Sequence, residues 1–218
     1  MTRKMLVVFH PGRVDAKDAA HSVMSALEEA GVGVVVAAEQ AEAISGSLTF
    51  EPEVLRRDEP ATDIELGIVL GGDGTILLAA ELLRGSGAAL LGVNLGHVGF
   101  LAESERDDLD QAISRALERS YEVDRRLALD VVVHEGGTEV FRTFALNEAT
   151  VEKADRSRLV ELALEVDGRP VSSFGCDGVV LSTPTGSTAY SFSAGGPIVW
   201  PQVQALVMTP LSAHALFA

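Results

Sequence analysis

Ile68, Val69 and Leu70 form a short aliphatic run that passes directly into Gly71-Gly72-Asp73-Gly74-Thr75 and then into the apolar-rich stretch ILLAAELL. Such an uninterrupted aliphatic run suits a strand buried on both faces, and strands of that kind belong to parallel sheets covered by helices. Three glycines leave Asp73 as the only acidic side chain on a turn whose backbone can come close to a ligand. The N–H groups of this turn, together with the N-terminus of the helix that Thr75 enters, form a ready site for phosphate. A carboxylate there repels phosphates, so Asp73 is a puzzle unless it holds a metal or takes a proton from the group being phosphorylated. Taken alone, the five residues read equally well as a tight turn, and the rest of the chain has to decide.

The segments on either side repeat the pattern. KMLVVFH (Lys4 to His10) reads as a buried strand, followed by a helix to about Ala30 with Asp15 as its N-cap and Gly31 just past its end. VGVVVA (Val32 to Ala37) is the next strand, and strand–helix–strand order implies a right-handed parallel crossover. Ala38 to Glu65 is weakly patterned and reads as loops with a short helix around Pro52 to Arg57. AALLGV (Ala88 to Val93) is a further buried strand, and the glycines of Asn94-Leu95-Gly96-His97-Val98-Gly99-Phe100 mark a turn at its C-terminal end. That edge of a parallel sheet is where ligands bind. A helix over roughly Asp107 to Arg119 presents Leu109, Ile113 and Leu117 to the core.

Beyond Tyr121 the pattern changes to hairpins. Leu127 to Val133 and Thr138 to Leu146 flank a Gly-Gly turn, and Leu159 to Val166 and Arg169 to Phe174 flank Asp167-Gly168, a strong short-range hairpin signal. The expected fold class is therefore an α/β N-terminal domain with a mostly parallel sheet, residues 1–124, followed by a β-rich C-terminal domain, residues 125–218. Two loops in the second half are candidates for binding. Asn147 and Glu148 follow directly on a strand; an Asn capping a turn beside a solvated Glu explains them equally well. Asp177 to Pro197, reading DGVVLSTPTGSTAYSFSAGGP, crowds Ser and Thr hydroxyls beside glycines and prolines and suits a polar ring or a ribose.

Composition narrows the partners. A net charge of −15 argues against nucleic acid or an anionic membrane, because both need clustered Lys and Arg. No run of about 18 apolar residues is present to span a membrane, and the short apolar stretch at the N-terminus is not a signal peptide, so the expected location is cytoplasmic. The single cysteine, Cys176, forbids an internal disulfide, and the five histidines show no metal-ligand spacing with it, so a structural zinc is not expected. Walker-type phosphate loops, the dinucleotide fingerprint G-x-G-x-x-G and the hydrolase elbow G-x-S-x-G are all absent from the sequence.

GGDGT at 71–75, NLGHVGFL at 94–101, LNE at 146–148 and DGVVLSTPTGSTAYSFSAGGP at 177–197, in this order and spacing, resemble the NAD kinase family, most of all its actinobacterial members. The resemblance implies that ATP phosphorylates the 2′-hydroxyl of the adenosine ribose of NAD, giving NADP, with a divalent cation, magnesium being expected. It implies Asp73 as general base, with Gly72, Gly74 and Thr75 in the substrate site beside it. It further implies Asn147 and Glu148 on ribose or phosphate groups of NAD, Arg158 as a basic contact to the dinucleotide, and Asp177 facing the nicotinamide half. Thr188, Ala189, Tyr190 and Ser193 would surround the adenine. His97 stands where relatives often carry arginine, and Cys176 has no assigned role. The family forms homodimers and homotetramers through the second lobe and continues past the position of Ala218, so self-association and an incomplete β-rich domain are expected. Two other readings fit GGDGT: a lipid or sugar kinase of the same superfamily, and a nucleotide-binding protein without turnover. ADP release with NAD, but not with diacylglycerol or fructose phosphate, separates them.

Overall fold

Five successive residues of Lys4–Phe9 (β1), from Met5 to Phe9, are completely buried, as their aliphatic run requires of a central strand. The structure is a computed structural model in which residues 3–95, 104–105, 109–155 and 157–215 are described. These fall into two compact units, Met1–Val123 and Asp124–Ala218. Gly96 to Leu101 of the NLGHVGFL motif, His97 among them, and Leu216, Phe217 and Ala218 lie outside the described residues.

In the first unit β1 is followed by Val14–Glu29 (α1), Gly33–Ala37 (β2), Ala38–Ile44 (α2), Glu53–Leu55 (β3), Ile64–Leu70 (β4), Asp73–Leu82 (α3), Ala89–Asn94 (β5), Ser104–Glu105 (β6) and Leu109–Glu118 (α4). The six strands form one sheet in the order β3-β2-β1-β4-β5-β6, and every pairing is parallel. Met5, Val7 and Phe9 share one apolar cluster with Ala16, Ala20, Val23, Met24 and Leu27 of α1 and with Ile113 and Ala116 of α4. Ile76, Ala79 and Leu82 of α3 are buried outside that cluster, against the opposite face of the sheet. Arg3, just before β1, ties β4 to the end of α4. Its Nη2 donates to Glu65 Oε1 at 2.7 Å and its Nη1 to the Leu117 carbonyl at the end of α4 at 2.8 Å, while Arg119 Nη2 holds Glu65 Oε2 at 2.6 Å. These two guanidinium groups, Arg3 first, pull the Glu65 carboxyl down to about 2.

Three local expectations change. The helix expected around Pro52 to Arg57 is the edge strand β3, because Val54 and its neighbours satisfy their backbone groups on β2. The stretch read as loop before it contains α2, whose AEQAEAI composition favours a helix starting directly from β2. Asp15 is not the N-cap of α1. Arg13 occupies that position without a side-chain cap bond, and the Asp15 carboxylate in the first turn is taken by the Arg13 guanidinium instead. Gly31, at φ 70°, stands just past the helix end as expected.

The second unit contains the hairpin of Leu129–Glu135 (β7) and Thr138–Ala145 (β8), then Glu148–Glu152 (β9), Val160–Val166 (β10), Arg169–Cys176 (β11), Gly178–Ser182 (β12), a 3₁₀ turn Thr185–Thr188, the one-turn helix Tyr190–Ser193 (α5), Val207–Leu211 (β13) and His214–Ala215 (β14). Asp167 and Gly168 both adopt positive φ, 51° and 71°, as a tight two-residue hairpin turn between β10 and β11 demands. The described sheets are antiparallel: β10-β11-β14, β13-β12-β9 and the β7-β8 pair. The segment 177–197, expected as a loop, therefore begins with β12, the central strand of its sheet. The fold is the expected one, an α/β unit with a parallel sheet followed by a β-rich unit.

Candidate active site

Strand order places the chain's first reversal between β1 and β4. From β1 the chain winds outward through β2 and β3, then returns to the other side of β1 as β4, so the loops leaving these two strands diverge and open a crevice at their C-terminal ends. Phe9 and Leu70 are register partners at that edge. A cleft of about 560 Å³ lies there, lined by Phe9, His10, Pro11 and Arg13 from the first loop, Gln40 from α2, and Gly72, Gly74, Thr75 and Leu78 from the second.

The glycine turn is shaped by Thr75. A Cβ at Gly71 would stand 2.6 Å from Thr75 Oγ1, so only glycine lets the strand end fold back over the first turn of α3. Cβ positions at Gly72 and Gly74 would meet nothing within 4 Å, so bare backbone faces the cleft on either side of Asp73. Gly72 is the N-cap residue and makes no side-chain cap bond; Asp73 opens the helix and is half-buried. A carboxylate in a first helical turn is favoured by the helix dipole. Among the described residues, no group of three His, Cys, Asp or Glu side chains is placed to hold a metal ion.

In the second unit Asn147 and Glu148 sit where β8 gives way to β9. The 3₁₀ turn is pressed onto them. The Asn147 carbonyl accepts from Thr183 N at 2.9 Å, Thr183 Oγ1 donates to the Leu146 carbonyl at 2.6 Å, and a Cβ on Gly186 would stand only 2.1 Å from Asn147 O. Four buried polar atoms here have no partner: Asn147 Oδ1, Glu148 Oε2, Ser182 Oγ and Thr185 Oγ1. Buried polar groups are normally paired, so such a concentration makes this place a candidate ligand subsite. Burial pushes the Glu148 carboxyl above its ordinary value, against a backbone hydrogen bond with Tyr190 that pulls it down.

The hydroxyls expected to serve a ligand divide into two sets. Thr183, Ser187 and Ser191 are buried pegs: Ser187 Oγ donates to the Pro184 carbonyl at 2.6 Å and accepts from Val199 N at 2.9 Å, and Ser191 Oγ pairs with Thr209 Oγ1 at 3.1 Å. Ser182 and Thr185 carry the unpaired oxygens. Thr188 ends the 3₁₀ turn with its hydroxyl 3.4 Å from the Thr185 carbonyl, Ala189 links that turn to α5, and Tyr190 and Ser193 are exposed on α5. Asp177 is ion-paired with Lys153 just past the other end of the β9–β12 ladder from Glu148 and Ser182, five residues or about 17 Å away. Arg158 is exposed on the turn before β10, its backbone N–H bonded to the Asp155 carbonyl at 3.3 Å. The structure thus gathers Asn147, Glu148 and the 182–190 segment, and leaves Asp177 and Arg158 apart from them. Arg13, Gln40, Ser182 and Thr185 were not singled out from sequence. Only a sheet order or an unpaired buried atom reveals them.

Residues 5–121 match the ATP-NAD kinase N-terminal domain and residues 146–218 the ATP-NAD kinase C-terminal domain. The chain is 58% identical over 221 residues to an NAD kinase of Leifsonia xyli subsp. xyli, covering 99% of this chain and 72% of that one. It is 56% identical over 218 residues to NAD kinase 2 of Streptomyces coelicolor, with the same coverage of 99% and 72%. Among solved structures it superposes on yeast NADH kinase complexed with NADH at a TM-score of 0.85, with 26% identity, covering 99% of this chain and 67% of that one. An NAD kinase from Archaeoglobus fulgidus in complex with ATP shares the fold at a TM-score of 0.65 and 24% identity, covering 100% of this chain and 75% of that one. This chain belongs to the ATP-NAD kinase family.

Proposed function

We propose that this protein is an NAD kinase, transferring the terminal phosphate of ATP to the 2′-hydroxyl of the adenosine ribose of NAD and releasing NADP and ADP. The observation that carries the reading is the bare glycine backbone on the cleft at the β1/β4 reversal, in a chain that matches both domains of the ATP-NAD kinase family. Phosphoryl transfer through a loose transition state asks the protein chiefly for positioning and charge neutralisation. Backbone amides of Gly72 and Gly74 supply both at the start of α3, beside the Thr75 hydroxyl, and Asp73 accepts the proton of the ribose hydroxyl. A divalent cation, magnesium by expectation, fits as a companion of the triphosphate, since magnesium usually keeps waters and is held by substrate phosphates with one or two carboxylates. When bound, it neutralises charge on the transferring group.

The unpaired oxygens at Asn147, Glu148, Ser182 and Thr185 support a ribose subsite, whose hydroxyls can both donate and accept. In this reading Thr188, Ala189, Tyr190 and Ser193 border the adenine, and Asp177 and Arg158 contact more distant parts of the dinucleotide. The protein acts in the cytoplasm as a homodimer or homotetramer. No helix of the described residues is long and apolar enough to cross a membrane. Self-association is supported by the apolar side chains left exposed in the second unit, Trp200 at 79% and Ile198 at 61% among them. The likeness to a kinase complexed with NADH makes the reduced dinucleotide a second acceptor to try. The deciding assay supplies ATP and magnesium with NAD, NADH, diacylglycerol or fructose phosphate and follows ADP. Release with NAD is expected; binding of NAD without turnover overturns the reading.

A further inference from the structure

Register fixes which side chains share a face with Glu148. Glu148 of β9 lies directly opposite Ser182 of β12, and Val180, two residues along, lies opposite Thr150 of β9 and Thr209 of β13. Opposed residues of antiparallel strands point to the same side, so Glu148, Ser182, Val180 and Thr209 share one face. That face lies under α5. Ser191 Oγ pairs with Thr209 Oγ1 at 3.1 Å, and the Tyr190 N–H serves the Glu148 carboxyl.

Two buried oxygens on this face have no partner. Ser182 is completely buried with Oγ unpaired, and Glu148 Oε2 is likewise buried and unpaired. Directly opposed Cβ atoms stand about 4.5–5.5 Å apart, a gap that one oxygen spans with a hydrogen bond of about 2.8 Å to each side chain. Charge makes this pair matter. β9, β12, β13, the 3₁₀ turn and α5 contain no Lys or Arg; their titratable groups are Glu148, Tyr190 and, at the far end of β9, exposed Glu152. β7, which also packs on β9, brings Asp130, His134 and Glu135, all exposed, with Asp130 held by Arg142 at 2.6 Å. With no Lys or Arg on its flanking elements to offset burial, the charge of Glu148 depends on hydrogen-bond donors.

We propose that Ser182 is a positioning residue for Glu148: in the free protein its hydroxyl donates through one buried water to Oε2, keeping the carboxylate ionised and oriented as an acceptor for ribose hydroxyls of NAD. The proposal rests on the ribose subsite read above and adds the group that maintains its charge.

Two measurements on the full chain test it: the titration of the Glu148 δ-carbon by NMR, assigned from its loss in Glu148→Gln, and the Kd for NAD from about pH 5.5 to about pH 8.5. A hydrogen bond to a carboxylate favours its charged form, so Ser182→Ala should move the Glu148 titration to higher pH. Its loss of NAD affinity should stay within about twofold at the alkaline end and grow to about tenfold at the acid end, the effect of one hydrogen bond to a charged group. Ser182→Cys fills the same volume with a weak donor and should behave like the alanine variant. A titration unmoved in Ser182→Ala, an equal loss of affinity at every pH, or wild-type behaviour in Ser182→Cys overturns the role of Ser182. Should the alanine variant not fold, the cysteine variant decides by the same two readouts. An NAD affinity unchanged at every pH by Glu148→Gln refutes the ribose reading instead, and the titration of the free protein still judges Ser182.

Discussion

Gly186→Ala tests whether the second unit's site depends on the contact between the 3₁₀ turn and Asn147. The added Cβ would lie 2.1 Å from Asn147 O, 2.4 Å from Asn147 C and 2.6 Å from Asn147 Cα. Ordinary carbon contacts are about 3.5–4.0 Å, so the two backbones must separate by more than about 1 Å. Neither can move cheaply. Asn147 O is bonded to Thr183 N at 2.9 Å, Gly186 N to Thr183 Oγ1 at 3.0 Å and Gly186 O to Ala189 N at 3.0 Å. Overpacking a well-ordered site costs about 1–3 kcal/mol, and a backbone-to-backbone clash belongs at the upper end. At about 2–4 °C per kcal/mol for a chain of this size, the melting temperature should fall by about 6–12 °C. A displacement of about 1 Å in a substrate-positioning group can cost about 100-fold, so the KM for NAD should rise at least about tenfold. The KM for ATP should stay close to wild type, because the cleft at the β1/β4 reversal is built from other residues. Circular dichroism melts and steady-state kinetics read all three. A variant melting within about 2 °C of wild type with an unchanged KM for NAD would refute the reasoning.

Asp73→Asn removes the proposed base while keeping size and a hydrogen-bonding group; turnover should drop by about 10² to 10³, with NAD affinity little changed, and near-normal turnover sinks the assignment. Because Glu65 is held at about 2 in the folded state by Arg3 and Arg119, against an ordinary 4.5, its contribution is present above pH 4.5 and is lost as pH falls through about 2. Discounted for the partial exposure of the cluster, Glu65→Gln should lower stability by on the order of 1–3 kcal/mol at pH 6 and by much less near pH 2, as read from denaturant unfolding; equal losses at both values contradict the ion cluster. Light scattering should show a species larger than one chain, and a monodisperse monomer argues against association through the second unit.

Much of the first unit was legible because its signals are local. An uninterrupted aliphatic run such as Met5 to Phe9 is a central strand in any context that buries both faces, and the positive φ of Asp167 and Gly168 is a property of two residues and their turn. The glycine turn ahead of Asp73 was likewise visible, since glycines between a strand end and a helix start are a signal carried by neighbouring residues alone. What stayed hidden depends on partners far along the chain. Glu53–Leu55 is a strand only because β2 offers an edge, and Asp15 leaves the cap because Arg13 takes its carboxylate. The hydroxyls of 182–191 look alike in sequence; Leu146, Asn147, Val199 and Thr209 decide that Thr183, Ser187 and Ser191 are pegs while Ser182 and Thr185 keep unpaired oxygens. Gln40 and Arg13 share a cleft with Gly72 because the sheet order returns β4 to the side of β1. Local runs determine which segments become strands and helices, since φ, ψ and burial period are short-range properties. Which polar atoms end up buried and unpaired is set by long-range packing, because their partners come from residues far along the chain.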